Sequence, residues 1–373
     1  MSLKALKTLI QTLYFTARVR TLKALVLSGG KGTRLRPLTF TLAKQLIPVA
    51  NTPILGYVLA QVAETGIVDV GLIVAPETGQ YVKEYVKDGA EWGLKVSYIP
   101  QEPLGLAHAV KTARTFLGEE DFVMCLGDNL QGGGIAGLAK RFRQENLDAL
   151  ILLKEVEDAT MFGVATLDEK GNVTKLVEKP KEPESNLAIV GTYLFSNKVH
   201  KAIGEIKPSW RNELEITDAI QRMITMGFKV KAEVLNTWWV DTGKKDDILT
   251  ANARILDEYI KRDIQGRTVN STIEGRVKID KEASIINSTV RGPCIIGKNT
   301  TVEGSFIGPY TSIGNNSKIT DSCVEYCVVM EGAVVKDIER LEDSLIGKNA
   351  KVAKNHKSRA IKLHVGDYSE VEI

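Results

Sequence analysis

Residues 279–324 read IDKEASIINSTVRGPCIIGKNTTVEGSFIGPYTSIGNNSKITDSCV. Apolar side chains recur in it as Ile279, Ile285 and Val290, then Ile296, Val302 and Ile307, then Ile313, Ile319 and Val324, each trio repeating the last after 17 residues. Val329, Val335 and Leu341 continue the series with one slip, and Ile346 and Val352 begin another round. Neither the period of a helix nor that of an ordinary strand produces such steps. A solenoid does: three short strands per coil, one inward apolar residue on each face, and neighbouring coils that complete the core. Gly297, Gly308, Gly314 and Gly347 each follow one of these residues directly, so small residues are expected to turn the corners.

Towards the N-terminus the pattern changes. A helical stretch at 246–262 precedes the solenoid, and before it short apolar runs alternate with amphipathic ones. The runs at 23–28, 69–75, 95–99, 122–126 and 149–154 predict strands, and those at 54–65, 80–87 and 106–116 predict helices. Such alternation implies βαβ units and a Rossmann-like, doubly wound, mostly parallel sheet, with ligands at the carboxyl ends of its strands. The expected organisation is a leader of unknown role at 1–21, an α/β domain at 22–245, a linker helix at 246–270, and the solenoid with a C-terminal tail at 271–373.

Composition narrows the function. A net charge of +3 over 373 residues gives no general attraction for nucleic acid or an anionic membrane. No apolar run approaches the roughly 20 residues needed to span a bilayer. The apolar core of the leader is short for a signal peptide and lacks a small-residue cleavage site. Cys125, Cys294, Cys323 and Cys327 are too few and too clustered for a disulfide framework, and are expected as buried reduced thiols in a cytoplasmic protein.

The chemistry concentrates in LSGGKGTRLRP at 27–37, after the first strand. Gly29, Gly30 and Gly32 would let backbone N–H groups approach phosphate oxygens. Taken alone the loop reads equally as a tight turn with solvated basic residues. Arg34 and, ten residues on, Lys44 add a bidentate donor and a point charge suited to phosphates. Asp128 and Asp241 each close an apolar run; they read either as turn residues or as a carboxylate pair sharing one Mg²⁺.

The segment GGKGTRLRPLT at 29–39, with KQLIP at 44–48, resembles the signature of sugar-1-phosphate nucleotidyltransferases. Within them it is most similar to long-form glucose-1-phosphate thymidylyltransferases, whose tail is a hexapeptide-repeat, left-handed parallel β-helix. The resemblance runs from about residue 22 to the C-terminus. It implies Mg²⁺-dependent transfer from an NTP, dTTP favoured, to α-D-glucose 1-phosphate by direct displacement. Nucleotide contacts are implied for Gly29, Gly30, Gly32, Thr33, Arg34, Lys44, Gln101 and Gly105. Gly163, Glu178, Lys179 and Glu213 are implied for the sugar phosphate, and Asp128 and Asp241 for the metal. Catalytic roles are implied for Arg34, Lys44, Asp128 and Lys179. Around Gln101 the spacing is one residue shorter than in short-form enzymes. Glu215 and Asp218 are expected as helix N-terminal charges and His108 as a packing residue. UTP or a hexosamine phosphate as substrate, an acyltransferase solenoid, and a non-catalytic regulatory subunit are the rival readings. Assembly into a homo-oligomer through the solenoid is expected.

Overall fold

The computed structural model describes residues 22–30, 32–354 and 368–371. The leader, Lys31 of the glycine loop and the tail histidines His356 and His364 lie outside the described residues. Apart from the two-residue pair Pro48–Val49 and Thr52–Pro53, the strands described in the first half are β1 (Leu22–Ser28), β2 (Asp69–Val74), β3 (Lys95–Pro100), β4 (Asp121–Leu126), β5 (Asn129–Gln131), β6 (Ala149–Glu155), β7 (Gly163–Leu167), β8 (Val173–Glu178), β9 (Leu187–Phe195), β10 (Val230–Val234) and β11 (Trp239–Asp241). The helices that matter for the site are α1 (Ile54–Glu64), α2 (Leu106–Thr112), α3 (Ile216–Thr225) and α4 (Lys245–Tyr259).

β1 lies between β2 and β4, parallel to both, and β3 extends the sheet beyond β2. The chain thus builds outward to β3 and then returns to the other side of β1 with β4. That reversal opens a crevice at the carboxyl ends of β1 and β4. Beyond β4 the sheet becomes mixed: β9 runs antiparallel to both β4 and β6, and β10 pairs parallel with β6. The run LAIVGTYLF of β9 is buried along nearly its whole length, and an apolar run carries no signal of strand direction. The side chains of β1 alternate between two cores. Ala24 and Val26 face one with Leu55, Leu59 and Val62 of α1, while Leu25 and Leu27 face another with Ala109 of α2 and Ile220 of α3.

The second half is a left-handed parallel β-helix of three stacked sheets. Ile279, Ile296, Ile313, Val329 and Ile346 stack in register on one face, Ile285, Val302, Ile319, Val335 and Val352 on the next, and Val290, Ile307, Val324 and Leu341 on the third. The solenoid starts earlier than the apolar ladder does. α4 ends at Tyr259, and Asp263–Ile264 and Arg267–Val269 already pair with the next coil. Thr268 stands there in register with Ile285, which hides that coil from an apolar count. A hydroxyl ladder stitches the coils: Ser288 N–H donates to Ser271 Oγ, Ser305 N–H to Ser288 Oγ, and Ser322 N–H to Ser305 Oγ.

The corners are not turned by the expected glycines. Asn287, Asn299, Asn316 and Asn349 take the left-handed backbone there, which asparagine tolerates better than most residues. Gly297 and Gly314 are needed for a different reason, because the next coil passes directly over them. A Cβ on Gly297 would stand 2.7 Å from the Asn315 nitrogen, and one on Gly314 would stand 2.6 Å from that of Glu331. Of the four cysteines, all free, Cys323 is only partly buried and the other three are buried. Among the described residues no helix is long and apolar enough to cross a membrane.

A further core joins the halves. Leu35, Ile47, Val49, Ile248, Ile255 and Leu256 pack with Ile295, Val328 and Met330 of the solenoid. Asn252 of α4, fully buried, accepts from the Ala50 N–H at 2.8 Å and donates to the Tyr310 carbonyl at 2.8 Å. Asn252→Ala leaves both backbone groups unpaired in the junction, so it should destabilise the chain by about 2–5 kcal/mol. Denaturant unfolding measures this; a loss below about 1 kcal/mol would mean the junction does not depend on that amide.

Candidate active site

A cleft of about 320 Å³ occupies the crevice at the ends of β1 and β4. Gly29 and Gly30 leave β1 along its wall, and Gly32, at φ 63°, turns the chain into the short 3-10 helix Thr33–Leu35. Thr39 Oγ1 donates to the Gly32 carbonyl at 2.7 Å and closes the loop. Arg34 is exposed and lines the cleft, with its guanidinium against Gly243. Gly32 and Thr33 do not line the cleft.

Lys44 sits in the short turn Lys44–Leu46 and forms an ion pair with Asp128, two residues past β4. Burial opposes both charges. For each, the partner outweighs it: Asp128 holds the ammonium above its usual pKa, and Lys44 holds the carboxyl below its own. The Lys44 side chain passes over Gly30, where a Cβ would approach its Cε to 2.7 Å. That glycine keeps the path between the loop and the acid clear.

Asp241 reaches the same place through the β5–β11 ribbon, which sets it opposite Asn129. The Asn129 amide donates towards Asp128 at 3.1 Å and Asp241 at 3.4 Å. Its orientation is set by Trp239, whose indole N–H can only donate and does so to Asn129 Oδ1 at 2.8 Å. Thr242 donates from N–H and hydroxyl to the Asp128 carbonyl, at 3.1 and 2.7 Å. Burial, then the charge of Asp128, pushes the Asp241 carboxyl up to about 6. A cation beside both acids would relieve that repulsion. Among the described residues no cluster of three or more His, Cys, Asp or Glu could hold a metal alone. Two carboxylates nonetheless fit Mg²⁺, which keeps waters and takes phosphate oxygens for its other ligands.

Along the same cleft Glu178 ends β8, with Lys179 next to it in a left-handed conformation, φ 44°. Phe162 O accepts the Lys179 N–H at 3.0 Å and fixes that turn. Arg211 contacts three acids: Glu213 at 3.1 Å, Glu178 at 3.4 Å and Glu215 at 3.5 Å. Thr217 donates its hydroxyl to Glu178 Oε2 at 3.2 Å. Burial, then the charge of Glu215, raises the Glu178 pKa. Gly163 lines the cleft, and a Cβ on it would meet Thr217 Cγ2 at 2.7 Å, so packing against α3 alone excludes a side chain there. Gly105, at φ 106°, is similarly confined: its Cβ would strike the Leu214 carbonyl at 2.4 Å. Gln101 is buried beside it.

Every residue expected at the site except Gly32 and Thr33 therefore lines one cleft. Sequence reading passed over Asn129, Trp239, Arg211 and Thr217, and it took Glu215 for a helix charge. Glu215 does cap α3 in position, but its buried side chain faces Arg211 and accepts from Ser209 at 2.8 Å. Arg211, Glu213 and Glu215 are neighbours in sequence just before α3, but a turn brings them to one side, with Asn212 at φ 60°, and such a turn has no periodic signature.

A family described as Nucleotidyl transferase matches residues 23–258. The chain belongs to that family. A second, described as GMPPB C-terminal domain, matches residues 290–367. Within the family the chain is 47% identical over 356 residues to a glucose-1-phosphate thymidylyltransferase of Streptomyces antibioticus, covering 94% of this chain and 99% of the relative. It is 45% identical over 354 residues to the protein of that name from Streptomyces griseus, at 94% and 99% coverage. A Bacillus anthracis crystal structure assigned to a glucose-1-phosphate thymidylyltransferase, in complex with sucrose, superposes with a TM-score of 0.61 at 32% identity, covering 65% of this chain and 98% of that one.

If the ion pair organises the site, Lys44→Met should destabilise the protein by about 3–5 kcal/mol, because it strands a buried carboxylate. Adding Asp128→Asn should recover most of the loss. Unfolding of the two single variants and the double variant closes the cycle, and purely additive losses would contradict the pairing.

Proposed function

We propose that this chain transfers a nucleoside monophosphate from dTTP, with UTP as the alternative, to the phosphate of α-D-glucose 1-phosphate, releasing pyrophosphate with the help of Mg²⁺. The observation that carries this is a single cleft containing both charge arrays: Lys44, Asp128 and Asp241 in one, Glu178, Lys179 and Arg211 in the other. The names of the two Streptomyces relatives support the choice of nucleotide and sugar.

The nucleophile is a phosphate oxygen of the sugar phosphate, ionised at neutral pH, so the site needs no general base. Its task is to hold two repelling anions in line and to offset charge at the α-phosphorus. Backbone N–H groups at Gly29 and Gly30, on the cleft wall, are assigned to the nucleotide phosphates, with Arg34 and Lys44 as their cations. Gln101 and Gly105 are assigned to the base. Lys179 is assigned to the sugar phosphate, and Glu178 and Glu213 accept from sugar hydroxyls beside Gly163. Arg211 holds the three acids around it in place. Asp128 and Asp241 would hold Mg²⁺, which when bound supplies positive charge shared with the phosphate oxygens.

A non-catalytic subunit is disfavoured because Arg34, Lys44, Asp128, Lys179 and Asp241 all line the cleft. An acyltransferase solenoid is disfavoured because no histidine occurs between Ile279 and Val352 to serve as its base. The solenoid is assigned to assembly. The free thiols favour a reducing, cytoplasmic setting.

Pyrophosphate release over a matrix of NTPs and sugar 1-phosphates should peak at dTTP or UTP with glucose 1-phosphate and require a divalent cation. Activity confined to other pairs, or none at all, would sink the proposal. Asp128→Asn and Asp241→Asn should each lower kcat at least about 100-fold in a folded protein. Lys179→Ala should raise KM for the sugar phosphate at least about tenfold and leave that for the NTP within about threefold. A defect confined to the NTP would reverse the assignment of Lys179. In sedimentation the chain should run as a multiple of 40.9 kDa; a monomer would contradict the role given to the solenoid.

A further inference from the structure

Gln101 is held by two acceptors on one side. Its Nε2 lies 3.0 Å from His108 Nδ1 and 3.4 Å from the Gly105 carbonyl. A carbonyl can only accept, so the NH₂ end of the amide faces Gly105 and His108. His108 Nδ1 must then be the unprotonated ring nitrogen. Burial, followed by the charge of Lys111, holds the imidazole pKa below its usual value, which disfavours a second ring proton. Both N–H bonds of the amide are thereby used. The remaining atom, Oε1, stands 3.8 Å from the point that a Cβ on Gly29 would occupy, on the cleft wall, and has no hydrogen-bond partner among the described residues.

We infer that His108 is a positioning residue for base selection: by accepting from Gln101 it fixes the amide with its oxygen towards the nucleotide. The inference rests on the functional reading above, in which Gln101 meets the base. An outward-facing oxygen only accepts, so it selects a base edge that donates. Uracil and thymine carry a hydrogen on N3; cytosine carries a lone pair there. Cytosine therefore sets two acceptors against each other, unless the amide rotates and opposes its oxygen to Gly105 O and His108 Nδ1 instead. The sequence expectation that His108 only packs gives way to this role. The α2 helix supplies the spacing, since His108 stands three residues beyond Gly105, one turn into the helix that follows the base loop.

The test is the ratio of kcat/KM for dUTP to that for dCTP, two nucleotides that differ only at this edge, with glucose 1-phosphate as acceptor. Wild type should favour dUTP at least about 100-fold. His108→Leu, which fills the space without an acceptor, should lower the ratio at least about tenfold through KM for the nucleotide, and leave KM for glucose 1-phosphate within about threefold. His108→Asn places Oδ1 on the same Cγ position as Nδ1 and should restore the ratio to within about threefold of wild type. A His108→Leu ratio equal to wild type, or a His108→Asn ratio as low as that of His108→Leu, would overturn the inference. A wild type that uses neither dUTP nor dTTP overturns the functional reading beneath it, and shows this before any variant is made.

Discussion

The site depends on one buried ion pair. Lys44 and Asp128 belong to segments that leave adjacent strands, β1 and β4, at the point where the sheet reverses its direction of growth. Two charges in that position are costly to bury and stable only together. Their pairing therefore ties the glycine loop to the turn after β4. Gly30 is a consequence, since a side chain there would block the lysine. The Asp128 turn in turn receives Thr242, and Asn129 spans the gap to Asp241. Trp239 sets Asn129, and packs edge-on at 5.1 Å against Phe162, beside Gly163. A chain of short contacts thus runs from the glycine loop to the strand pair that carries Gly163 and Glu178.

The solenoid takes part in this arrangement without entering the cleft. Leu35, adjacent to Arg34, is fully buried in the core that joins the halves. α4 follows Asp241 and Gly243 within a few residues, and its Asn252 is bonded to both halves. Asn51 adds a bond to the Ile313 carbonyl at 2.7 Å. Arg34 and Asp241, on the cationic and acidic sides of the cleft, are each within a few residues of structure that packs on the solenoid. Removing the solenoid would expose Leu35, Ile47 and Ile255 along with it, so its effect on the site is mechanical.

Much of this was legible in the sequence because the constraint behind it is local and repeated. An inward residue on each solenoid face has a single orientation, and Ile279 to Val335 follow that rule with complete burial. Carboxylates after apolar runs marked Asp128 and Asp241. Other features have no local signature. β9 is apolar whichever way it runs. Asn129 and Trp239 become partners only because β5 and β11 pair across more than a hundred residues. Gly105 and Gly163 were implied as base and sugar contacts, and Leu214 and Thr217, distant in sequence, exclude a side chain at each whatever binds there. Gly297 and Gly314 looked like corners, and are instead clearances for the next coil. In each case the missing fact was a neighbour distant in sequence.

In the proposed reaction both substrates meet directly in this cleft, with the protein contributing charge and position rather than a covalent bond. Among the described residues that line it there is no cysteine, serine or histidine. The stereochemistry at phosphorus tests this most directly. With dTTP bearing sulfur at the α-phosphorus in one known configuration, a single in-line displacement gives a nucleotide sugar of inverted configuration. Inversion is the expected result; retention would require a nucleotidyl-enzyme intermediate and would contradict direct displacement.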